Sequence, residues 1–202
     1  TKDYGVDILR RMRWIHKLRK RHPEVAPSGQ STQLMVGAVD ETDEDIVKRV
    51  GWIHERFSIK RVYFSGFQPM EGTPLESGDE SDSMRVFRLY QADSLLSSYG
   101  FSPDELRFSG GYLDTDLDPK YAAAMDMDIF PVELESAPYH EIIRVPGIGP
   151  RSARRIIEMR DRTRLTPERL RRMGVRMKRA EPFIYLDGFQ STLAEWGKDR
   201  KD

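Results

Sequence analysis

A Gly-Ile-Gly turn at residues 147–149, within the stretch RVPGIGPRSARRI, carries the residue types that most directly suggest chemistry in this sequence. Gly147 and Gly149 have no side chain and can adopt positive φ, so an anion can approach the backbone there. A helix pattern starts directly after the turn, and the free N–H groups and dipole of a helix N-terminus favour a negative charge. The turn and the arginines after it predict a site for a phosphate-bearing polymer.

Apolar residues around the turn predict that it joins two packed helices. Ile148 is expected to turn back into the pair, Ala153 to keep the helices close, and Val145, Ile156 and Ile157 to form a small core. The pattern resembles the helix-hairpin-helix motif of DNA-binding proteins. The residues alone leave a second interpretation open, in which the turn serves only packing or protein contacts.

The resemblance implies contacts with the backbone of double-stranded DNA. Phosphate contacts carry charge and position but little sequence information, so binding should be sequence-independent and salt-sensitive. A weaker second hairpin is predicted at Gly174, with Arg176 in place of the second glycine, and it is expected mainly to pack and to add charge. The predicted DNA-binding residues are Gly147, Ile148, Gly149, Arg151, Ser152, Arg154, Arg155, Lys178 and Arg179.

Charge is distributed unevenly along the chain, although the formal net charge is zero. Residues 140–202 hold 16 Lys and Arg against 9 Asp and Glu, and residues 1–139 carry the opposite imbalance. Such a division indicates a polyanion-binding module attached to a different kind of domain. A solvated Arg-rich helical face would give the same composition, so charge alone does not distinguish such a face from a polyanion-binding module.

The first half of the chain has the pattern of a βαβ unit. STQLMVGA and IKRVYFSGF are rich in strand-forming residues, and Thr42 is placed to cap the acidic first turn of the helix between them. Strand, helix and strand in close succession predict parallel strand pairing. Further helices are predicted within residues 3–22 and 83–101 and after Pro119.

The order of the motifs resembles one family closely. STQLMVGAVDETDEDI resembles a late-strand motif of radical S-adenosylmethionine (SAM) barrels, and RVYFSGFQPMEGTPL resembles the next strand. With RLYQADSLLSSYGF, DLDPKYAAA and FPVELESAP leading into the hairpin, the chain resembles the DNA modification or repair radical SAM proteins that end in a helix-hairpin-helix domain. The resemblance covers about residues 26–184.

This resemblance implies an α/β fold: the C-terminal half of a partial (β/α) radical SAM-type barrel in residues 1–130, then an all-α helix-hairpin-helix domain in residues 131–202. It implies a 4Fe–4S cluster and SAM as cofactors, and hydrogen abstraction by a 5′-deoxyadenosyl radical. Barrel enzymes keep their chemistry at the C-terminal ends of the strands. The residues expected to line a SAM or substrate pocket there are Gln33, Gly37, Glu41, Ser65, Phe67 and Gln68.

Ordinary structural roles stay open for these candidates. Gln33 could satisfy backbone groups, Gly37 could permit a turn, and Glu41 could cap the helix together with Thr42. No catalytic residue is assigned.

The absence of cysteine departs from the family, whose cluster-binding motif is Cys-x3-Cys-x2-Cys. Such clusters are held by Cys thiolates, so their ligands are not in this chain. Either a missing N-terminal barrel half or a partner chain supplies them, or the activity has been lost. The alternative function is a non-catalytic helix-hairpin-helix protein that binds nucleic acid or another protein.

Other functional classes lack support in the sequence. The four histidines show no metal-ligand spacing, and no P-loop, GxGxxG or G-x-S-x-G motif occurs. No apolar run reaches the roughly 18–20 residues of a membrane span, and no signal-peptide pattern opens the chain. We therefore expect a cytoplasmic protein with no membrane contact and no metal site of its own.

Overall fold

The computed structural model describes residues 3–186, which form a mixed α/β fold with short parallel strands. A π-helix at Tyr4–Leu9 precedes α1, and short 3-10 helices lie at Pro103–Glu105 and Glu181–Phe183. The helices are α1 Arg10–Arg21, α2 Asp43–Phe57, α3 Ser83–Tyr99, α4 Pro119–Ala124, α5 Tyr139–Ile142, α6 Pro150–Arg160, α7 Pro167–Arg172 and α8 Met177–Ala180. The strands are β1 Ser31–Val36, β2 Arg61–Gly66, β3 Val132–Glu133 and β4 Ile184–Tyr185.

The described residues divide into two compact units. The first comprises residues 3–97, 102–104 and 108–116, and the second comprises residues 98–101, 105–107 and 117–186. The expected boundary at residue 130 lies within the second unit. A separate domain over residues 131–202 stays a prediction, and its last part, residues 187–202, lies outside the described residues.

The first unit is built on the βαβ arrangement expected from the sequence. β1 and β2 pair in parallel, in register from Ser31 opposite Arg61 onward. The Thr42 hydroxyl accepts a hydrogen bond from the Asp45 amide, while the Asp45 carboxylate accepts one from the Thr42 amide. This reciprocal cap satisfies two amides at the start of α2. The parallel pairing and the Thr42 cap are confirmed.

Helix α2 buries an apolar stripe, and residues of β2 and α3 in the same unit are buried as well. The buried residues are Ile46, Val50, Ile53 and Phe57 of α2, Val62 and Phe64 of β2, and Leu89, Ala92 and Leu95 of α3. Met12 of α1 is buried, whereas Ile8 of the preceding π-helix is 36% exposed.

The second unit has its own apolar core, to which α5, α6, α7 and α8 all contribute. Its largest fully buried side chains are Leu134, Ile142, Ile143, Ile148, Ile156, Leu170, Phe183, Ile184 and Leu186. β3 and β4 pair in parallel, with Val132 opposite Ile184. The sequence predicts an extended segment around Val132 but gives no sign of this partner. No helix within residues 3–186 combines the length and apolar character needed to cross a membrane.

Candidate functional site

The first hairpin consists of α5, the turn at residues 143–149, and α6. Gly147 has a φ of 84°, which side-chain-bearing residues rarely adopt. Gly149 is extended instead, with φ −98° and ψ 173°, and Pro150 occupies the first helical position after it. Ile148 is 1% exposed, which confirms that it turns back into the helix pair. Only the first glycine therefore needs left-handed backbone freedom.

The second hairpin, formed by α7 and α8, repeats this backbone course. Gly174 has a φ of 92°, close to that of Gly147. Val175, which follows it, is 5% exposed and takes the place of Ile148. The second hairpin thus resembles the first at its positive-φ glycine and at the buried residue that follows, despite its weaker sequence pattern.

The starts of α6 and α8 also correspond. The Gly149 carbonyl accepts the Ala153 amide at 2.9 Å, and the Arg176 carbonyl accepts the Ala180 amide at 3.1 Å. Both alanines are fully buried. Arg176 has a φ of −84°, near that of Gly149, so its side chain causes no backbone strain where the pattern has glycine.

The two hairpins pack directly on each other. The Arg176 amide donates to the Gly147 carbonyl at 2.9 Å, and the Ser152 hydroxyl donates to the Met173 carbonyl at 3.0 Å. A Cβ on Gly147 would lie 2.6 Å from the Arg176 carbonyl oxygen, and one on Gly174 would lie 3.2 Å from the Ser152 hydroxyl. Gly147 and Ser152 therefore have packing roles. Contacts between their backbone groups and DNA stay a prediction.

Exposed cationic side chains lie near the starts of α6 and α8, which are the second helices of the two hairpins. Arg151, Arg154 and Arg155 are exposed on α6, where their spacing places them on neighbouring parts of one face. Lys178 is exposed on α8. Arg155 lies 3.4 Å from the Met173 carbonyl, and within residues 3–186 none of these four cations is paired with a carboxylate. Their charge is available to an anionic partner.

Arg179, the other predicted contact on α8, is less available. It forms an ion pair with Asp118, and its guanidinium lies 5.9 Å from the centre of the Tyr121 ring. Asp118 also caps α4 by accepting the Tyr121 amide at 3.0 Å. Arg179 therefore connects the second hairpin to α4.

Arg144 belongs to the basic segment but has a structural role. Its Nε and Nη2 donate to the two carboxylate oxygens of Glu105 at 2.6 and 2.9 Å. Its guanidinium also bonds to the His140 carbonyl at 2.7 Å and lies 4.9 Å from the centre of the Phe101 ring. From the sequence, this charge was expected to contribute to polyanion binding. Its partner Glu105 lies 39 positions away and produces no local sequence pattern.

Lys120 is a component of the site that sequence analysis missed. Its side chain is buried, and its Nζ donates to the Ile148 carbonyl at 2.6 Å while lying 4.8 Å from the centre of the Tyr99 ring. Burial, followed by the charge of Arg144, lowers the pKa of Lys120 to about 7. A buried lysine with a shifted pKa therefore contacts the middle residue of the first hairpin.

The six pocket candidates of the first unit serve different local roles. Gln33 lies on the exposed face of β1, and Ser65 is half-buried on β2. Phe67 is buried, whereas Gln68 is exposed and bonds to Glu80 at 3.1 Å. A shared pocket lined by these four residues stays a prediction.

The other two candidates, Gly37 and Glu41, close a loop after β1. Glu41 accepts hydrogen bonds from the Gly37 and Val39 amides and lies 3.8 Å from Arg85. Arg85 also donates to Asp43 at 2.7 Å, and that carboxylate is 1% exposed. The Glu41 carboxylate thus accepts hydrogen bonds from amides of its own loop.

A cleft of about 490 Å³ lies along β1 and α2 in the first unit. Leu34 and Met35 of the strand and Ile46 and Trp52 of the helix supply much of its apolar wall, and Glu41 lies at its rim. Within the described residues β1 pairs only with β2, so its other edge has no strand beside it. An unpaired strand edge is a template for further pairing.

An iron–sulfur cluster does not fit the residues present. The sequence has no cysteine, and no group of three or more His, Asp or Glu side chains among residues 3–186 could hold a metal ion. The chain therefore offers no ligand set for a cluster.

Comparisons of the chain with protein-family models, with curated proteins and with solved structures gave no match.

Proposed function

We propose that this protein binds double-stranded DNA through its sugar–phosphate backbone, with the paired hairpins of the second unit as the docking element. The observation that supports this most strongly is the pair of similar hairpin turns, together with Arg151, Arg154 and Arg155, which have no carboxylate partner within residues 3–186. Charged side chains beside a helix N-terminus are suited to phosphate oxygens, because amides and guanidinium groups donate toward the same anion.

Such binding does not require a reading of base edges. The predicted contacts come from backbone amides and from flexible cationic side chains. These groups contact phosphates, which carry charge and position but little sequence information. Affinity should therefore vary little with sequence and fall steeply with salt.

The double variant Arg151→Ala/Arg154→Ala tests this assignment in the full chain. We expect it to bind a duplex of about 20 base pairs about tenfold more weakly and to lower the salt slope by about two, since two phosphate contacts are lost. Arg162→Ala is the matched control, because it removes an exposed arginine just beyond the other end of α6. Equal losses from the double variant and the control would contradict the assignment.

For the first unit, we propose that it is the C-terminal part of a radical SAM barrel acting on that DNA. The parallel βαβ unit supports this proposal, as does the apolar cleft along β1, whose second edge has no partner strand within residues 3–186, since further strands can add there. Because the residues present do not fit a cluster, another polypeptide segment must hold it.

The genomic sequence upstream of the segment that encodes this chain tests the enzyme proposal. A Cys-x3-Cys-x2-Cys motif in the same reading frame, or in an adjacent gene whose product binds this chain, would support it. The absence of the motif from both would contradict it.

The alternative is a non-catalytic helix-hairpin-helix protein whose first unit binds a protein. The engagement of Glu41 by its own loop favours this alternative, because that carboxylate does not point freely at a cofactor. Duplex binding is common to both proposals, so the upstream sequence distinguishes them.

A further inference from the structure

Helix α1 of the first unit is strongly basic. Seven of its 12 residues are Lys or Arg and none is Asp or Glu, so no acidic side chain of the helix offsets their charge. Met12 is buried, and the Nδ1 of His16 lies 3.0 Å from the Phe57 carbonyl at the end of α2. These two residues mark the side of α1 that packs inward.

The opposite side of α1 forms a continuous exposed stripe. Steps of three and four residues place its members next to each other along the helix. We call the following residues the α1 stripe: Arg10, Arg13, Trp14, Lys17, Lys20 and Arg21. The helical rise separates its ends by about 17 Å. Within residues 3–186 none of its cations forms an ion pair with a carboxylate, so the stripe is complementary to an extended polyanion.

Trp14 adds a flat apolar surface to these cations. Its side chain is 65% exposed, more than any other aromatic side chain within residues 3–186, and no second ring of that region packs on it. Arg10, four residues earlier, and Lys17, three residues later, are its neighbours on the helix surface. An exposed ring between cations is suited to a nucleobase, which can stack on the ring while the cations contact the adjoining phosphates.

We propose that the α1 stripe binds a single-stranded nucleic acid, with Trp14 stacking on one base and Arg10 and Lys17 contacting the phosphates beside it. The strand must be single because the bases of a duplex present only their edges in the grooves, while their faces are covered by neighbouring base pairs. The α1 stripe belongs to the first unit. The proposal therefore goes beyond the duplex binding proposed for the hairpins of the second unit and does not depend on it.

The residue types of the α1 stripe fit a nucleic acid better than an anionic lipid surface. A helix that lies in a membrane interface buries a broad apolar face at the boundary with the acyl chains. In α1 the apolar Met12 is already buried within the protein, and Trp14 is the only apolar member of the stripe. One ring is enough to stack on a base, whereas it gives little area for insertion into lipid.

Fluorescence anisotropy of the full chain with a labelled oligothymidylate of about 15 nucleotides tests the role of Trp14. We expect Trp14→Ala to weaken binding about tenfold, because one stacked base is lost, and Trp14→Phe to keep most of the affinity. Affinity for a duplex of about 20 base pairs should change less than about twofold in Trp14→Ala. Phe87→Ala is the matched control, because it removes a ring that is 52% exposed on α3 of the same unit.

The salt dependence of the same binding tests the cations. Arg10→Gln/Lys17→Gln should lower the salt slope for oligothymidylate by about 1.4, since each phosphate contact with a single strand contributes about 0.7. Arg56→Gln/Lys60→Gln removes two exposed cations outside α1 and should leave the slope unchanged. This pair of variants keeps the proposal testable if Trp14→Ala does not fold.

Three results would overturn the proposal. The first is equal weakening of oligothymidylate binding by Trp14→Ala and Phe87→Ala, or by the two double variants. The second is a loss in Trp14→Ala that is as large for the duplex as for oligothymidylate. The third is binding of the wild type to vesicles of phosphatidylserine and phosphatidylcholine without binding to oligothymidylate. A wild type that binds oligothymidylate through Trp14 but no duplex would support the α1 stripe and contradict only the function proposed for the hairpins.

Discussion

The main-chain amide of Arg176 donates to the carbonyl of Gly147 at 2.9 Å and joins the turns of the two hairpins. This bond requires the two backbones to approach closely. The approach explains why Gly147 has no room for a side chain, whereas Arg176 has a φ of −84° and needs no glycine. The hairpins therefore behave as one unit, and a change in either turn should affect both.

Gly147→Ala should destabilise the second unit by about 2 kcal/mol, because it combines positive φ with a steric clash. The added Cβ would lie 2.6 Å from the Arg176 carbonyl oxygen. Gly149→Ala is the matched control: its φ is −98°, and the nearest atom to an added Cβ is the Tyr99 hydroxyl at 3.6 Å. Thermal unfolding measures both, and equal destabilisation would contradict this account.

Arg144→Met should destabilise the protein by about 2 kcal/mol, because it leaves the Glu105 carboxylate without its bidentate partner. The same change should leave the salt slope of duplex binding almost unchanged. Urea denaturation and duplex titration together test this separation. A lowered slope with unaltered stability would assign Arg144 to the DNA surface instead.

Asp43→Ala should destabilise the first unit by about 3 kcal/mol, since the carboxylate is 1% exposed and bonds to Arg85 at 2.7 Å and to the Leu113 amide at 3.0 Å. Asp45→Ala, at the exposed cap of the same helix, should destabilise the unit less than Asp43→Ala does. Chemical denaturation of the two variants gives the comparison. A smaller cost for Asp43 than for Asp45 would contradict the assigned contacts.

His54 makes the stability of the first unit depend on pH. Its Nε2 lies 2.6 Å from Asp93, and this hydrogen bond raises the pKa of His54. Because the pKa of His54 is higher in the folded than in the unfolded protein, its hydrogen bond to Asp93 contributes fully to stability below the unfolded pKa of about 6.5. This contribution is lost as the pH rises through the folded pKa. Denaturant unfolding from about pH 6 to about pH 9 should show this loss in the wild type.

Asp93→Asn is the control for His54, because it keeps the size of the side chain and removes the charge. Its unfolding free energy should decline less over the same pH range than that of the wild type. Parallel declines would exclude the His54–Asp93 pair as the source of the pH dependence.

Features encoded by neighbouring residues were predictable from the sequence. The Thr42 cap depends on residues three positions apart, and the burial of Ile148 follows from its place between two glycines. The start of α7 follows the same local rules: the Thr166 hydroxyl accepts the Arg169 amide, and Pro167 occupies the first helical position.

Features that join distant residues were not predictable. Lys120 meets Ile148 across 28 positions, and Val132 pairs with Ile184 near the end of the described chain. Positive φ was expected to be open to both Gly147 and Gly149, but only Gly147 adopts it. The sequence pattern does not reveal which of the two glycines needs this conformation. Such contacts depend on how the helices pack, and one sequence contains no periodic signal for them.

The most direct test of the proposed function is duplex affinity of the full chain measured between about 50 mM and about 200 mM salt on two unrelated sequences. Binding through phosphates by Arg151, Arg154, Arg155 and Lys178 predicts that log K falls linearly with log salt, with a slope of about −3 to −4 for both duplexes. A flat salt dependence, or no binding of either duplex at low salt, would contradict the account.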